Sequence, residues 1–186
     1  MNKILSTVLS AAVIASMAGC STPASSKTSS TGEGKTSVVA EDGTKSEGVM
    51  TYAEYVDAAV DSEVTVETYV QAKQGWWEDK GVGKATLYTQ DQEGAYFLYD
   101  VEMSEEDYNK LTEGTKIKAV GYKSEWSGEV EITDATFEIE EGNYIAEPVD
   151  LTDMLANEDE LIKHQNEKFS VKGLTVSASK DADGKD

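Results

Sequence analysis

From Glu63 to Lys73 the chain alternates: Val64, Val66, Thr68, Val70 and Ala72 stand between mostly polar neighbours. Successive side chains of a strand point to opposite faces, so a period of two describes a long strand with one face buried. Such a strand needs partners for its backbone and a cover for its apolar side, which commits the domain to a sheet. The apolar residues of 48–186 are rich in Val, Ile, Tyr, Phe and Trp, types that favour strands.

Four more strands follow. Residues 84–90 and 95–101 flank the turn Asp91-Gln92-Glu93-Gly94, where glycine is available for positive φ. Residues 115–124 and 129–140 flank Trp126-Ser127-Gly128. In the last strand the buried parity moves from Val130 and Ile132 to Ala135, Phe137 and Ile139. One residue of slippage near Asp134 is what a β-bulge produces. Two short helices complete the pattern. Thr51 and Glu54 stand in capping-box relation at the head of residues 52–60, and Ser104-Glu105-Glu106-Asp107 starts a helix that Gly114 stops. The expected core is Val64, Val66, Val70, Leu87, Phe97, Ile117 and Ile132, with Leu111 closing one end.

The order is long strand, hairpin, short helix, hairpin. It resembles the oligonucleotide/oligosaccharide-binding (OB) fold, and the closest local match is Leu87-Tyr88-Thr89-Gln90-Asp91-Gln92-Glu93-Gly94-Ala95-Tyr96, a strand, an Asp-x-x-Gly turn and a second strand. The resemblance covers about residues 62–140. It implies a mostly β domain at 48–142: a small five-stranded OB-like barrel with a short helix between strands three and four, plus an N-terminal helix. The alternative is another small barrel or sandwich. Residues 143–186 add a helix-strand extension: Leu151, Met154, Leu155, Leu161 and Ile162 suggest a helix interrupted around Asn157, and 169–178 reads as a strand. Two readings of this extension stay open, a terminal pair packed on the barrel or the start of a second, similar module.

The N-terminus has a different character. Lys3 supplies a positive charge, residues 4–17 carry none, and Ala18-Gly19 precede Cys20, the only cysteine. That order is a secretory signal, and the apolar run is shorter than the ~18–20 residues that span a bilayer. Cysteine directly behind the small pair resembles the lipobox of bacterial lipoproteins. The resemblance implies that residues 1–19 are removed and that the Cys20 thiol carries a diacylglyceryl group. Acyl chains such as palmitate then anchor the protein to the cell membrane, facing outside the cytoplasm. A secreted protein with a chance cysteine is the alternative. Residues 21–47 hold 12 Ser or Thr among 27 positions, a composition that reads as a disordered tether running from Cys20 to residue 47.

Charge narrows the partners. Asp and Glu number 36 against 16 basic residues, all lysine, for a formal net charge of −20. Binding nucleic acid requires clustered cations that neutralise phosphates, so nucleic acid is an unfavoured partner. Without arginine there is no guanidinium fork for carboxylate or phosphate.

Aromatic residues supply the candidate site. In the barrel reading Trp76 and Trp77 lie in the loop between strands one and two, and Trp126 lies between strands four and five. Both loops border the ligand face of the OB fold. Tyr88 and Tyr96 project onto that face if Leu87 and Phe97 point inward. These five rings form the expected platform for a neutral or cationic ligand such as a glycan or peptide, since Glu78, Asp79, Glu125 and Glu129 repel phosphates. Lys116, Lys118 and Lys123 are expected to pair with Glu129 and Glu131 across two strands on a solvated face. Asp181, Asp183, Asp186 and Gly184 miss the calcium-loop spacing, and His164 is the single histidine. No nucleophile elbow, phosphate loop or dinucleotide fingerprint is present. The sequence therefore reads as a non-catalytic binding module without cofactor or metal. Its rivals are a spacer or assembly lipoprotein with no small ligand, and a hydrolase subunit using carboxylates.

Overall fold

Thr51 opens the first helix, α1 (Tyr52–Asp57). Its hydroxyl accepts from the Glu54 N–H at 3.2 Å while the Glu54 carboxylate accepts from the Thr51 N–H at 2.9 Å. Two otherwise orphaned donors are thereby satisfied. The computed structural model describes residues 45–175 and Ser177. The signal segment, Cys20, the tether up to residue 44, Ala178, and Asp181, Asp183, Gly184 and Asp186 lie outside the described residues.

The chain is mostly β. After α1 come β1 (Glu63–Lys73), β2 (Trp77–Asp79), β3 (Val82–Gln90), β4 (Ala95–Glu102), α2 (Glu105–Lys110), β5 (Thr115–Trp126) and β6 (Glu129–Asn143). They form a six-stranded sheet in the order β1-β5-β6-β4-β3-β2, and β1 pairs with β3 as well as with β5. The pairings are antiparallel except for β4 with β6, which run parallel through Leu98 and Ile132. Trp77, read as a loop residue, belongs instead to β2, opposite Lys84.

One interior collects the inward residues of every long strand: Val64, Val66 and Val70 from β1, Leu87 from β3, Leu98 from β4, Ile117 from β5 and Ile132 from β6. Leu111, directly after α2, is fully buried among them. Phe97 does not join this interior. The hairpin register sets Leu87 opposite Leu98 and Tyr88 opposite Phe97. Directly opposed residues share a face, so an inward Leu87 requires an inward Leu98 and turns Phe97 outward with Tyr88. Tyr96 takes the inner position and is completely buried. Its ring packs against Tyr55 at 4.9 Å and Tyr52 at 5.5 Å, and its hydroxyl donates to Asp91 at 3.1 Å.

Asp91 organises the turn behind this reversal. Its Oδ1 accepts from the N–H groups of Glu93 (2.7 Å) and Gly94 (2.9 Å), an Asx turn, and Lys45 meets its other oxygen. Gly94 is needed for space rather than for positive φ, because a Cβ there would meet the Tyr52 ring at 2.3 Å. The expected irregularity near Asp134 is present: Val120 pairs with Thr136 and Tyr122 with Thr133, and Asp134 takes φ 49°.

The lysines of β5 divide between faces. Lys116 points out and meets Glu67 at 3.6 Å and Glu140 at 3.5 Å. Lys123 falls on the alternate parity, with Ile117 and Ala119, and is buried. Its ammonium donates to the carbonyls of Tyr55 (3.0 Å), Val56 (2.7 Å) and Ala58 (2.8 Å) at the end of α1. The proposed cross-strand pairing with Glu129 and Glu131 is thus not made: Trp126 and Ser124 stand opposite those glutamates.

Beyond β6, strands β7 (Val149–Asp150) and β8 (Phe169–Ser170) pair in parallel around α3 (Glu158–Leu161) and two single 3₁₀ turns. Of the expected strand at 169–178, the described residues form strand only at Phe169–Ser170. This segment is fastened to the sheet by side-chain amides: Gln165 bonds the Val130 N–H and the Gly128 carbonyl, each at 2.8 Å, and Gln90 accepts from the Lys168 N–H at 2.8 Å. Among the described residues no helix is long and apolar enough to cross a membrane.

Candidate functional site

The hairpin β3–β4 carries a row of rings on its outer face. Tyr88 and Phe97 lie 5.1 Å apart between centroids, and Phe97 and Tyr99 lie 6.2 Å apart, tilted by 40° and 42°. Alternation along β4 places Phe97 and Tyr99 on one side, and cross-strand pairing adds Tyr88. Trp126 arrives from the β5–β6 hairpin. There Ser127 (φ 53°) and Gly128 (φ 89°) form a two-residue turn with both φ values positive, the type I′ pattern that suits twisted strands. The turn leaves Trp126 at the end of its strand, 71% exposed, and Tyr99 is 47% exposed. Large aromatic surface in water at the rim of a concavity is a recognition feature.

Phe97, Tyr99 and Trp126 line one pocket of about 230 Å³ with Glu129 and Glu131. The two glutamates alternate outward along β6. Glu131 is only 9% exposed, and among the described residues no cation or hydrogen-bond donor meets its carboxylate. Burial, reinforced by the negative charges of Glu129 and Asp100, raises its pKa above the usual carboxylate value. Asp100 is held in place by Thr86, whose hydroxyl accepts from the Asp100 N–H at 3.2 Å. A larger concavity, about 670 Å³, lies between Glu102, Met103, Asp107, Lys110, Thr136, Phe137 and Ile139. Its lysine is already engaged by Asp107 at 2.9 Å and Glu106 at 3.1 Å, so its cation is committed within the fold.

The five expected platform residues separate. Trp126 lines the pocket, and Tyr88 stands beside it with its hydroxyl accepting from the Gln74 side chain at 2.9 Å. Trp77 is partly exposed on β2, where the Lys84 ammonium lies 5.9 Å from its ring centroid. Trp76 packs against the core instead. Its indole N–H donates to the Met103 carbonyl at 3.2 Å, and a Cβ on Gly83 would meet its ring at 2.5 Å. Tyr96 is interior and cannot reach a ligand on the outer face.

Phe97, Tyr99 and Glu131 were not among the candidates. The register of the hairpin held the missing signal: a four-residue turn that pairs Gln90 with Ala95 also pairs Tyr88 with Phe97. Among the described residues no group of three or more His, Cys, Asp or Glu side chains could hold a metal ion. Set against protein-family models, curated proteins and solved structures, the chain finds no match.

Proposed function

We propose that the chain is a lipid-anchored extracytoplasmic protein whose domain is a small OB-like barrel that binds a ligand without transforming it. The observation that carries the binding reading is the outer-face row of Tyr88, Phe97 and Tyr99 ending at the pocket of Trp126. Support for the barrel comes from the ring of pairings β1-β5-β6-β4-β3 and back to β1, with α2 between β4 and β5. Support for the anchor comes from the order of Lys3, an uncharged apolar run, Ala18, Gly19 and Cys20.

A hydrolase using two carboxylates draws on the raised pKa of Glu131 beside Glu129. Such pairs must flank the bond they cleave, whereas these two acids project from a single strand, two residues apart. Binding without turnover is the better reading.

The test is direct. Titration of the full chain in detergent with neutral oligosaccharides and short peptides should shift the Trp126 indole N–H resonance. Trp126→Ala should weaken binding about tenfold or more, since stacking on one aromatic is worth ~1–3 kcal/mol. Ligands that leave Trp126 unmoved across the panel refute the binding site, and conversion of any of them refutes the non-catalytic reading. For the anchor, Cys20→Ser should abolish labelling by radioactive fatty acid and release the chain from membranes or leave it unprocessed. A Cys20→Ser chain that is cleaved yet still membrane-bound refutes lipidation at this position.

A further inference from the structure

Glu131 is nine-tenths buried, and its carboxylate has no counter-ion or hydrogen-bond donor among the described residues. A carboxylate largely withdrawn from water is costly unless it is paired, so such groups are retained in a fold when something outside the fold completes them. The nearby lysines are committed elsewhere. Lys123, on the adjacent strand, points to the opposite side of the sheet and is held by three carbonyls. Lys84 lies over Trp77. Instead of a counter-ion, Glu131 faces Glu129 and Asp100, which deepen the negative potential, and three aromatic rings, whose faces attract cations.

We propose that this pocket is a receptor for a protonated primary amine at the end of an apolar chain, with the Glu131 carboxylate accepting the ammonium hydrogens and Trp126, Tyr99 and Phe97 flanking the methylenes. The assignment rests on the binding-module reading and gives it a ligand class. Size agrees. About 230 Å³ is below the ~300–1,000 Å³ of pockets that hold a drug-sized molecule, and suits one long side chain. Chemistry selects among cations. A quaternary ammonium has no N–H to satisfy a buried carboxylate, whereas a primary ammonium offers three donors. Anions are repelled by Glu129 and Glu131. The amine has two natural sources, a lysine side chain within a peptide or a free diamine.

Calorimetry and the Trp126 indole resonance would be followed in the full chain with five probes: Gly-Lys-Gly, its norleucine counterpart, its trimethyl-lysine counterpart, 1,5-diaminopentane and a neutral disaccharide. The lysine peptide is expected to bind, and the norleucine and trimethyl-lysine peptides to bind roughly tenfold to a hundredfold more weakly, the worth of a hydrogen bond to a charged group. Glu131→Gln should erase that preference while leaving the aromatic contacts in place. A peptide source is indicated if Gly-Lys-Gly outbinds 1,5-diaminopentane, and a free diamine if the order is reversed. Equal affinity for lysine and norleucine peptides, or a preference that survives in Glu131→Gln, overturns the amine assignment. If the disaccharide alone shifts Trp126, the amine assignment falls and the binding reading stands. If no probe does, both fall.

Discussion

Replacing Lys123 by methionine tests the most unexpected interaction in the fold. Methionine keeps an unbranched stem in the interior and removes only the ammonium, which donates at 3.0, 2.7 and 2.8 Å to the carbonyls of Tyr55, Val56 and Ala58. Hydrogen bonds to a charged group contribute about 1.5–3 kcal/mol each, so three total roughly 5–9 kcal/mol before costs. Keeping an ammonium in the interior costs several kcal/mol, which offsets about half of that sum. In the variant, the carbonyls of Val56 and Ala58 are partly open to water and recover partners, whereas the buried Tyr55 carbonyl keeps only the Ala58 N–H at 3.3 Å, which it shares with the Glu54 carbonyl. Weakening that acceptor costs about 1 kcal/mol, and a positive charge at a helix C-terminus is worth up to ~2 kcal/mol. The expected loss is therefore about 3 kcal/mol. Urea unfolding should show a lower midpoint at unchanged slope, and amide exchange in α1 should quicken. A loss below about 1 kcal/mol, or a gain, would show that desolvation of the ammonium outweighs its hydrogen bonds and would refute the account of Lys123 as the cap of α1.

Three further outcomes follow from the geometry. Tyr96→Phe should cost about 1–2 kcal/mol, because a buried Asp91 oxygen loses its 3.1 Å donor, and should leave ligand affinity unchanged; Phe97→Ala should lower affinity, and titration of both variants separates the two faces. Gly83→Ala should destabilise by about 1–3 kcal/mol, since the new methyl meets the Trp76 ring at 2.5 Å and the Met103 carbonyl at 2.6 Å; a shift in tryptophan emission should accompany it. Glu131 faces the negative Glu129 and Asp100, and its folded pKa is raised, so the folded state binds its proton more tightly than the unfolded chain does. The stability it confers is present below the unfolded carboxylate pKa of about 4.3 and is lost as pH rises through the folded value. Glu131→Gln should accordingly be more stable than the parent at pH 7 and should lose that advantage toward pH 4, read from urea midpoints; a variant less stable at pH 7 contradicts the burial argument.

The strand segments were legible because their signals are local. Alternation from Val64 to Val70 marks β1 wherever the chain goes, since a strand's period of two is built into the backbone. The parity slip in β6 is equally local, and Asp134 sits where it predicts. What the residues of one segment cannot state is which parity faces the interior when both are apolar. Ala95-Tyr96-Phe97-Leu98-Tyr99 offers a large apolar side chain at both parities, so its own pattern is silent. The decision came from Leu87 on the facing strand, through a register fixed by the Asp91 turn. Tyr96 was thereby removed from the candidate site and Phe97 and Tyr99 were added to it.

Charge shows the same division. Composition alone determined that the protein is acidic and contains no arginine, because net charge sums over residues without regard to place. Whether a given charge is paired depends on position in three dimensions. Lys123 and Glu131 read as neighbours on a solvated face. In the fold one is drawn inward to the carbonyls of α1, and the other is left beneath Trp126 with like charges around it. Neighbouring strands set both fates, and the solvation of an ion is decided by what surrounds it in space, which no stretch of chain contains by itself.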